Sequence, residues 1–336
     1  MLLSGFPDLL SFNRQTRQNS DIKARLEITS QEAVTGFRAD PTAAMNGDIG
    51  GALLLQKALD DIEQDKRINT ITSSRLGLMG SILTSARSAI SDVGTQGLIA
   101  VATGNSFALD AAADTAEANL RNVFSLFNSA QGSRKLFAGE ATDTLPLTSV
   151  DTLLTDIRAI ISGSPTPASV ESALETYFND PSGGFATNIY QGGDKNAAPS
   201  ILADGSRIEF TIRADNQAIK DTLRGLALLT LTRESGHDIT SPEYEALYSQ
   251  GTTLVEKGKS NMIKLESEIG ISESLIEKID THQRSEKLVL STAITGLIGR
   301  DQYEAATELQ LLEAQLEASY LITSRLSNLS LLNFIR

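Results

Sequence analysis

Apolar residues recur at helical spacing over both ends of this chain, and the rhythm is lost in the middle. Asp40-Pro41 is a helix-start signal, a capping carboxylate followed by proline at the first helical position. Beyond it come Leu53, Leu59 and Ile62, then Ile68, Ile71, Leu78, Ile82, Ile90 and Val93. Asp60, Asp61, Gln64, Asp65 and Lys66 fill much of the remaining face. A period near 3.5 sustained over roughly 50 residues predicts a narrow seam for partner helices, as in a coiled coil or bundle.

Gly94 to Gly97 and then Gly104-Asn105-Ser106 interrupt that pattern. A second helix carries Leu109, Leu120, Val123, Phe124 and Phe127 and ends near Gln131-Gly132; Leu136-Phe137-Ala138-Gly139 reads as a strand or turn. From about residue 141 to 224 the texture changes, with Pro146, Pro165, Pro167, Pro181 and Pro199 beside Gly183-Gly184 and Gly192-Gly193. Thr166-Pro167 predicts a short helix through Leu174 and Phe178. Ile201-Leu202, Asp204-Gly205 and the alternation Ile208, Phe210, Ile212 predict a hairpin. This stretch reads as a small α+β insertion. Helix returns with Ile219, Leu223, Leu226 and Leu229, breaks around Gly236-His237, and restarts at Ser241-Pro242. In the last helix Ala305, Leu309, Leu312, Leu316 and Tyr320 share one face. The stripe then shifts to Ile322, Leu326 and Leu329, and the tail stays apolar through Leu332 and Phe334.

The fold class that follows is mainly α: long helical ends that form a coiled coil or bundle, with a small α+β insertion. Apolar seams at both ends must be hidden against each other or against other copies, and each buried side chain is worth roughly 1.5 to 3 kcal/mol. An intramolecular bundle remains the alternative. Composition sharpens this. Hydrophobic residues make up 40% of 336 positions and aromatics only 5%, with no Trp, which suits helices packed through aliphatic side chains better than an aromatic-lined pocket. The net charge of −13 repels phosphate backbones, so nucleic acid is not an expected partner. No apolar run is long enough to span a bilayer, and the opening Met1-Leu-Leu-Ser-Gly-Phe-Pro-Asp lacks the cationic and apolar regions of a Sec signal.

Candidate chemistry is sparse. There is no Cys, and His237 and His282 stand far apart, so thiolate chemistry is excluded and a metal site would rest on carboxylates. Gly192-Gly193-Asp194-Lys195 reads as a turn rather than a phosphate cradle, and no nucleotide loop, dinucleotide glycine pattern or nucleophile elbow occurs. The expectation is a protein that is no enzyme, with no cofactor and no metal.

Several short motifs, taken in order, resemble the flagellin family of flagellins and hook-associated junction proteins. Gly36-Phe37-Arg38-Ala39-Asp40-Pro41 with Ala43-Ala44 is similar to the family's lead-in to its first long helix. Leu136-Phe137-Ala138-Gly139 followed by Thr142-Asp143-Thr144-Leu145-Pro146 resembles the junction where helices hand over to the insertion, and Tyr190-Gln191-Gly192-Gly193-Asp194 a turn within it. Ile269-Gly270, Asp301-Gln302-Tyr303-Glu304-Ala305-Ala306 and the Leu-rich close from Leu326 resemble the C-terminal end. The first dozen residues depart from the family's usual start.

The resemblance implies that the N- and C-terminal helices pair, that the insertion faces outward, and that the chain passes unfolded through the flagellar export channel. Expected partners are copies of itself, the other hook-associated protein and flagellin, with the export machinery and a chaperone, and no membrane. The expected place is outside the cell, in the flagellum. Residues 1–40 and 300–336 form the expected assembly-ordered terminal domain, 41–140 and 225–299 a helical bundle, and 141–224 the insertion. The expected assembly interface comprises Leu53, Leu59, Ile62 and Ile71 on one side. On the other are Leu309, Leu312, Leu316, Tyr320, Leu326, Leu329, Leu332 and Phe334. A filament subunit, or a secreted binding module with ligand contacts from Tyr190 to Ile212, are the alternatives.

Overall fold

The computed structural model describes the backbone of residues 6–45 and 49–334, and side chains from residue 13 to 325 with Ala44 excepted among those. In chain order the helices are α1 Phe6–Thr35, α2 Pro41–Ala44, α3 Gly50–Ala89, α4 Val93–Thr103 and α5 Ser106–Phe127. A hairpin of β1 Ala130–Gln131 and β2 Arg134–Lys135 follows, then α6 Val150–Gly163, α7 Pro167–Asn179 and a π-helical turn, Phe185–Ile189. A second hairpin, β3 Ala197–Ile201 and β4 Arg207–Phe210, leads into α8 Gln217–Leu231, α9 Pro242–Ile298 and α10 Gln302–Phe334. The fold is mainly α, with long paired terminal helices and a small α+β segment between them. The chain divides into two compact units, residues 65–281 and residues 1–64 with 282–336.

Local chemistry explains most starts. Thr166 closes a capping box with Ser169 ahead of Pro167, and Asn216 accepts from the Ala218 amide at 2.9 Å to begin α8. Pro242 starts α9 at the expected Ser241-Pro242 step, and Asp204-Gly205 turns the β3–β4 hairpin. Two expectations change. Asp40 does cap, accepting from the Ala43 amide at 3.0 Å, but the helix it opens is the four-residue α2, and the long helix begins at Gly50. Gly94 and Gly97 do not interrupt a helix. They lie buried inside α4, which ends at Gly104 in a left-handed cap with φ 61°.

The reason is close packing within the 65–281 unit. A Cβ on Gly97 would stand 1.5 Å from the Tyr248 hydroxyl of α9, and one on Gly94 2.4 Å from Thr252 Cγ2. On α8's side, a Cβ on Gly258 of α9 would meet Thr222 Oγ1 at 2.1 Å, and one on Gly225 the Gly251 carbonyl at 2.7 Å. Helix α9 therefore approaches α8 almost backbone to backbone, and lays the Thr252 and Tyr248 side chains directly on the bare backbone of α4. The core spreads outward from there: Leu83, Phe127, Phe137, Leu153, Ile157, Phe178, Ile208 and Leu223 belong to one buried cluster. Phe127 and Phe137 meet edge to face at 5.1 Å. The α+β segment thus shares its core with the helices before and after it.

The buried ions of this unit are paired. Arg224, 4% exposed, binds the Glu175 carboxylate and donates to the Glu171 carbonyl at 3.0 Å. Asp221 accepts from Gln217 Nε2 at 2.7 Å and lies 3.2 Å from Lys257 Nζ. In the other unit the described residues carry few buried apolar side chains: Ile22, Ile62, Ile294, Ala305 and Leu312.

Candidate assembly interface

Within the 65–281 unit, α3 and α9 run antiparallel with a fixed register. Asn69 Nδ2 donates to Asp280 at 2.8 Å, Gly80 faces Ile269, and Arg87 Nε donates to Glu266 at 3.2 Å. The buried stripe of α3 here is Asn69, Thr72, Leu76, Met79, Leu83 and Ala86, alternating steps of three and four, with Ile82 buried beside it and Ile90 continuing the rhythm just past the helix end. That is a heptad seam, one residue out of phase with the expected run through Ile68 and Ile71. Ile71 is 65% exposed, because Thr72 takes the inward place, bonding back to the Ile68 carbonyl at 2.8 Å and meeting Ser200 Oγ at 2.6 Å. A polar seam position is tolerated where its partners are supplied.

In the terminal unit, α1 and α10 pair antiparallel. Leu312 is buried, Leu309 and Leu316 are half-buried, and Tyr320 is exposed with Lys23 Nζ 5.6 Å from its ring. Leu326, Leu329, Leu332 and Phe334 lie outside the residues whose side chains are described. On α3, Ile62 is buried, Leu59 half-buried and Leu53 exposed. The pair keeps a second apolar face in solvent: Tyr303 is 84% exposed, and Leu311, Leu321 and Ile322 follow at helical spacing, all more than half exposed. An open groove of about 510 Å³ bordered by Arg25, Tyr303, Glu308 and Leu311 runs along this face.

Arg300, which the periodicity does not single out, occupies the break between α9 and α10 and pairs with Glu308 at 2.8 Å, Glu32 at 3.7 Å and Glu304 at 3.9 Å. The motif Gly36-Phe37-Arg38 lies against this break: Phe37 and Gly299 form an antiparallel bridge. Two other motifs, far apart in sequence, also meet. The Gly193 amide donates to the Ala138 carbonyl at 2.8 Å, the Glu140 amide to the Lys195 carbonyl at 3.0 Å, and the Gln191 amide to the Pro146 carbonyl at 2.9 Å. The Ala214 amide adds a bond to the Phe137 carbonyl at 2.9 Å. Gly139 needs its positive φ of 61° here, and a Cβ on it would stand 2.4 Å from the Lys195 carbonyl. The Tyr190 hydroxyl donates to the Gly193 carbonyl at 2.9 Å, and burial pushes its pKa up. Gly192-Gly193-Asp194 is therefore a structural interlock with Leu136–Gly139.

Among the described residues no group of three His, Asp or Glu side chains could hold a metal ion, and no helix is long and apolar enough to cross a membrane. His282 is 81% exposed, 3.9 Å from Glu286.

The family model of the bacterial flagellin C-terminal helical region matches residues 252–335, which take in most of α9 and all of α10. Two solved structures resemble the fold. The crystal structure of Bacillus cereus FlgL is 16% identical with a TM-score of 0.51, over 71% of this chain and 97% of that one. A structure from Vibrio parahaemolyticus provisionally assigned as a flagellar hook-associated protein is 15% identical with a TM-score of 0.48, over 76% of this chain and 100% of that one. No curated protein matches the chain in sequence. The matched residues include Tyr303, Leu311, Leu321 and Ile322, so the exposed face of α10 lies within the match.

Proposed function

We propose that this chain is a structural subunit of the bacterial flagellum, the hook-associated junction protein that joins hook to filament by polymerising through its terminal helices. The observation that carries the reading is a flagellin-family C-terminal region whose helix pair leaves Tyr303, Leu311, Leu321 and Ile322 in solvent. An apolar face of that size on a monomer calls for a protein partner. The assembly interface uses Leu53, Leu59, Ile62 and Ile71 of α3 with Leu309, Leu312, Leu316, Tyr320, Leu326, Leu329, Leu332 and Phe334 of α10. Residues 1–40 and 300–336 order fully on assembly, 41–140 and 225–299 form the scaffold, and 141–224 face outward.

Its partners are copies of itself, the other hook-associated protein and flagellin, after delivery by the flagellar export machinery and a chaperone. It acts outside the cell by packing rather than catalysis, and neither nucleic acid nor membrane is a partner. A deletion strain tests this. Loss of filaments with monomeric flagellin shed into the medium is expected, and normal filaments would remove the proposal. The family match also favours a second reading, a filament subunit. In that case deletion would abolish filaments without shedding flagellin.

A further inference from the structure

Helix α1 ends and α10 begins at one place. Gly36, with φ 73°, closes α1 by donating to the Glu32 carbonyl at 2.8 Å. The Arg38 amide then donates to the Ile298 carbonyl and the Arg300 amide to the Gly36 carbonyl, each at 2.9 Å. Over this bridge the Arg300 side chain, 17% exposed, gathers Glu32 from α1 with Glu304 and Glu308 from α10. Glu308 also accepts from Arg25 of α1 at 2.8 Å, and Glu32 accepts the Ala39 amide at 3.0 Å. Carboxylates from both helices converge on one guanidinium, beside a backbone bridge between the two chain segments.

Apolar burial along the rest of the pair specifies its alignment poorly. Its described buried apolar residues are Ile22 on α1 and Ala305 and Leu312 on α10. Leu309, Leu312 and Leu316 repeat at steps of three and four, so a slip by one turn sets leucine where leucine stood. Burial alone distinguishes such registers weakly, whereas a charge hub has one alignment that satisfies it. We propose that Arg300 and the Gly36–Arg38 bridge form a register clamp: Arg300 is the positioning residue that fixes α1 against α10, so that the two helices order and open together from the clamp outward.

The chain has no Cys, so introduced thiols report register directly. Asn19 and Ser319 are hydrogen-bonded neighbours across the pair, and Thr323 lies one turn further along α10. In the full chain, the pair Asn19→Cys with Ser319→Cys is expected to oxidise readily and the slipped pair Asn19→Cys with Thr323→Cys to stay largely reduced. Adding Arg300→Gln is expected to raise crosslinking of the slipped pair about tenfold, with Arg300→Lys between the two because an ammonium lacks the fork that grips several carboxylates. Hydrogen exchange gives a second readout. Arg300→Gln is expected to speed exchange in residues 20–32 and 305–316 together while residues 120–127 and 223–231 stay protected, which shows that the fold persists. Unchanged crosslinking with Arg300→Gln would overturn the clamp, as would loosening of one helix without the other. The result is independent of flagellar assembly, so a deletion strain with normal filaments would leave the clamp standing.

Discussion

The two units of this chain use the same material to opposite ends. Residues 65–281 bury their apolar positions against each other, from Leu83 and Phe127 through Ile157 to Leu223. Residues 1–64 with 282–336 do not. Of the twenty large hydrophobic side chains exposed among the described residues, thirteen lie in this smaller unit, which holds only four large buried ones, Ile22, Ile62, Ile294 and Leu312. Helical periodicity is present in both, so periodicity does not decide whether a seam is closed within the chain. What decides it is how many elements surround the helix. In the larger unit α9 has α3, α4 and α8 against it, with glycines admitting the α8 backbone and letting Thr252 and Tyr248 lie on α4. In the terminal unit α1 and α10 have chiefly each other.

The largest test of that contrast pairs one deletion from each unit. Phe127→Ala removes a side chain with no exposure, stacked edge-on to Phe137, and is expected to cost about 3 to 5 kcal/mol in urea unfolding followed by circular dichroism. Leu311→Ala, from a residue 58% exposed, is expected to shift the same transition by less than about 0.5 kcal/mol. Comparable losses would mean that the terminal pair is as self-sufficient as the core, and the contrast would collapse.

A smaller effect tests the glycine contacts. Gly97→Ala places a methyl inside the Tyr248 ring contact and is expected to destabilise by about 1 to 3 kcal/mol. Combined with Tyr248→Leu, it is expected to cost less than the two single changes summed, because the clash is shared. Strict additivity would show that Gly97 acts through helix propensity and not through proximity.

Charge in the larger unit gives a milder, pH-dependent signature. The Arg224 guanidinium, followed by the Asn179 side chain, holds the Glu175 carboxyl below its ordinary value of 4.5. A carboxylate depressed in the folded state contributes stability above its unfolded pKa and loses it as the pH falls through the folded one. Glu234, depressed by Arg158, adds in the same sense. Melting temperature is therefore expected to fall below pH 4.5, and Glu175→Gln is expected to flatten that slope while lowering stability at neutral pH, where it leaves the buried Arg224 without its ion. An unchanged acid slope in the variant would remove Glu175 from the account.

Much of this architecture is legible from local chemistry alone. Thr166-Pro167, Asp204-Gly205 and Ser241-Pro242 carry their own instructions, and the elements start where these residues stand. Helix α6 is harder to read, because its stripe of Val150, Leu153, Leu154, Ile157 and Ile161 is set among prolines and Ser149 gives only a brief cap. The α3 seam is misread at Ile71, since Asn69 and Thr72 become acceptable inward residues only through Asp280 and Ser200, far along the chain. Glycines 94 and 97 read as breaks for a similar reason: the need for a bare Cα comes from Thr252 and Tyr248. Of the candidate interface, Ile62 and Leu312 are found buried and Leu53 and Tyr320 exposed. Arg300 gives no periodic signal at all, a single cation in a break whose meaning is set by glutamates on two helices.

The subtlest expectation concerns Tyr248 itself. Its hydroxyl is buried against Gly97 and finds no hydrogen-bond partner among the described residues, and burial pushes its pKa up to about 12. Tyr248→Phe keeps the ring that fills the α4–α9 crossing and removes a desolvated donor, so at pH 7 it is expected to be neutral or stabilising by up to about 1 kcal/mol. The alkaline limb separates this from generic packing. A pKa raised on folding contributes stability that is complete below the unfolded value of 10 and is lost as the pH climbs through 12. Tyr177, Tyr190 and Tyr244 are raised as well, each first by burial, so the wild type is expected to weaken steeply above pH 10. Tyr248→Phe removes one of these ionisations and is expected to weaken less over that window in urea titrations at pH 7 and pH 11. If the variant lost stability at neutral pH instead, the hydroxyl would have to be bonded in solution, and the crossing at Gly97 would be looser than the absence of room for a Cβ there implies.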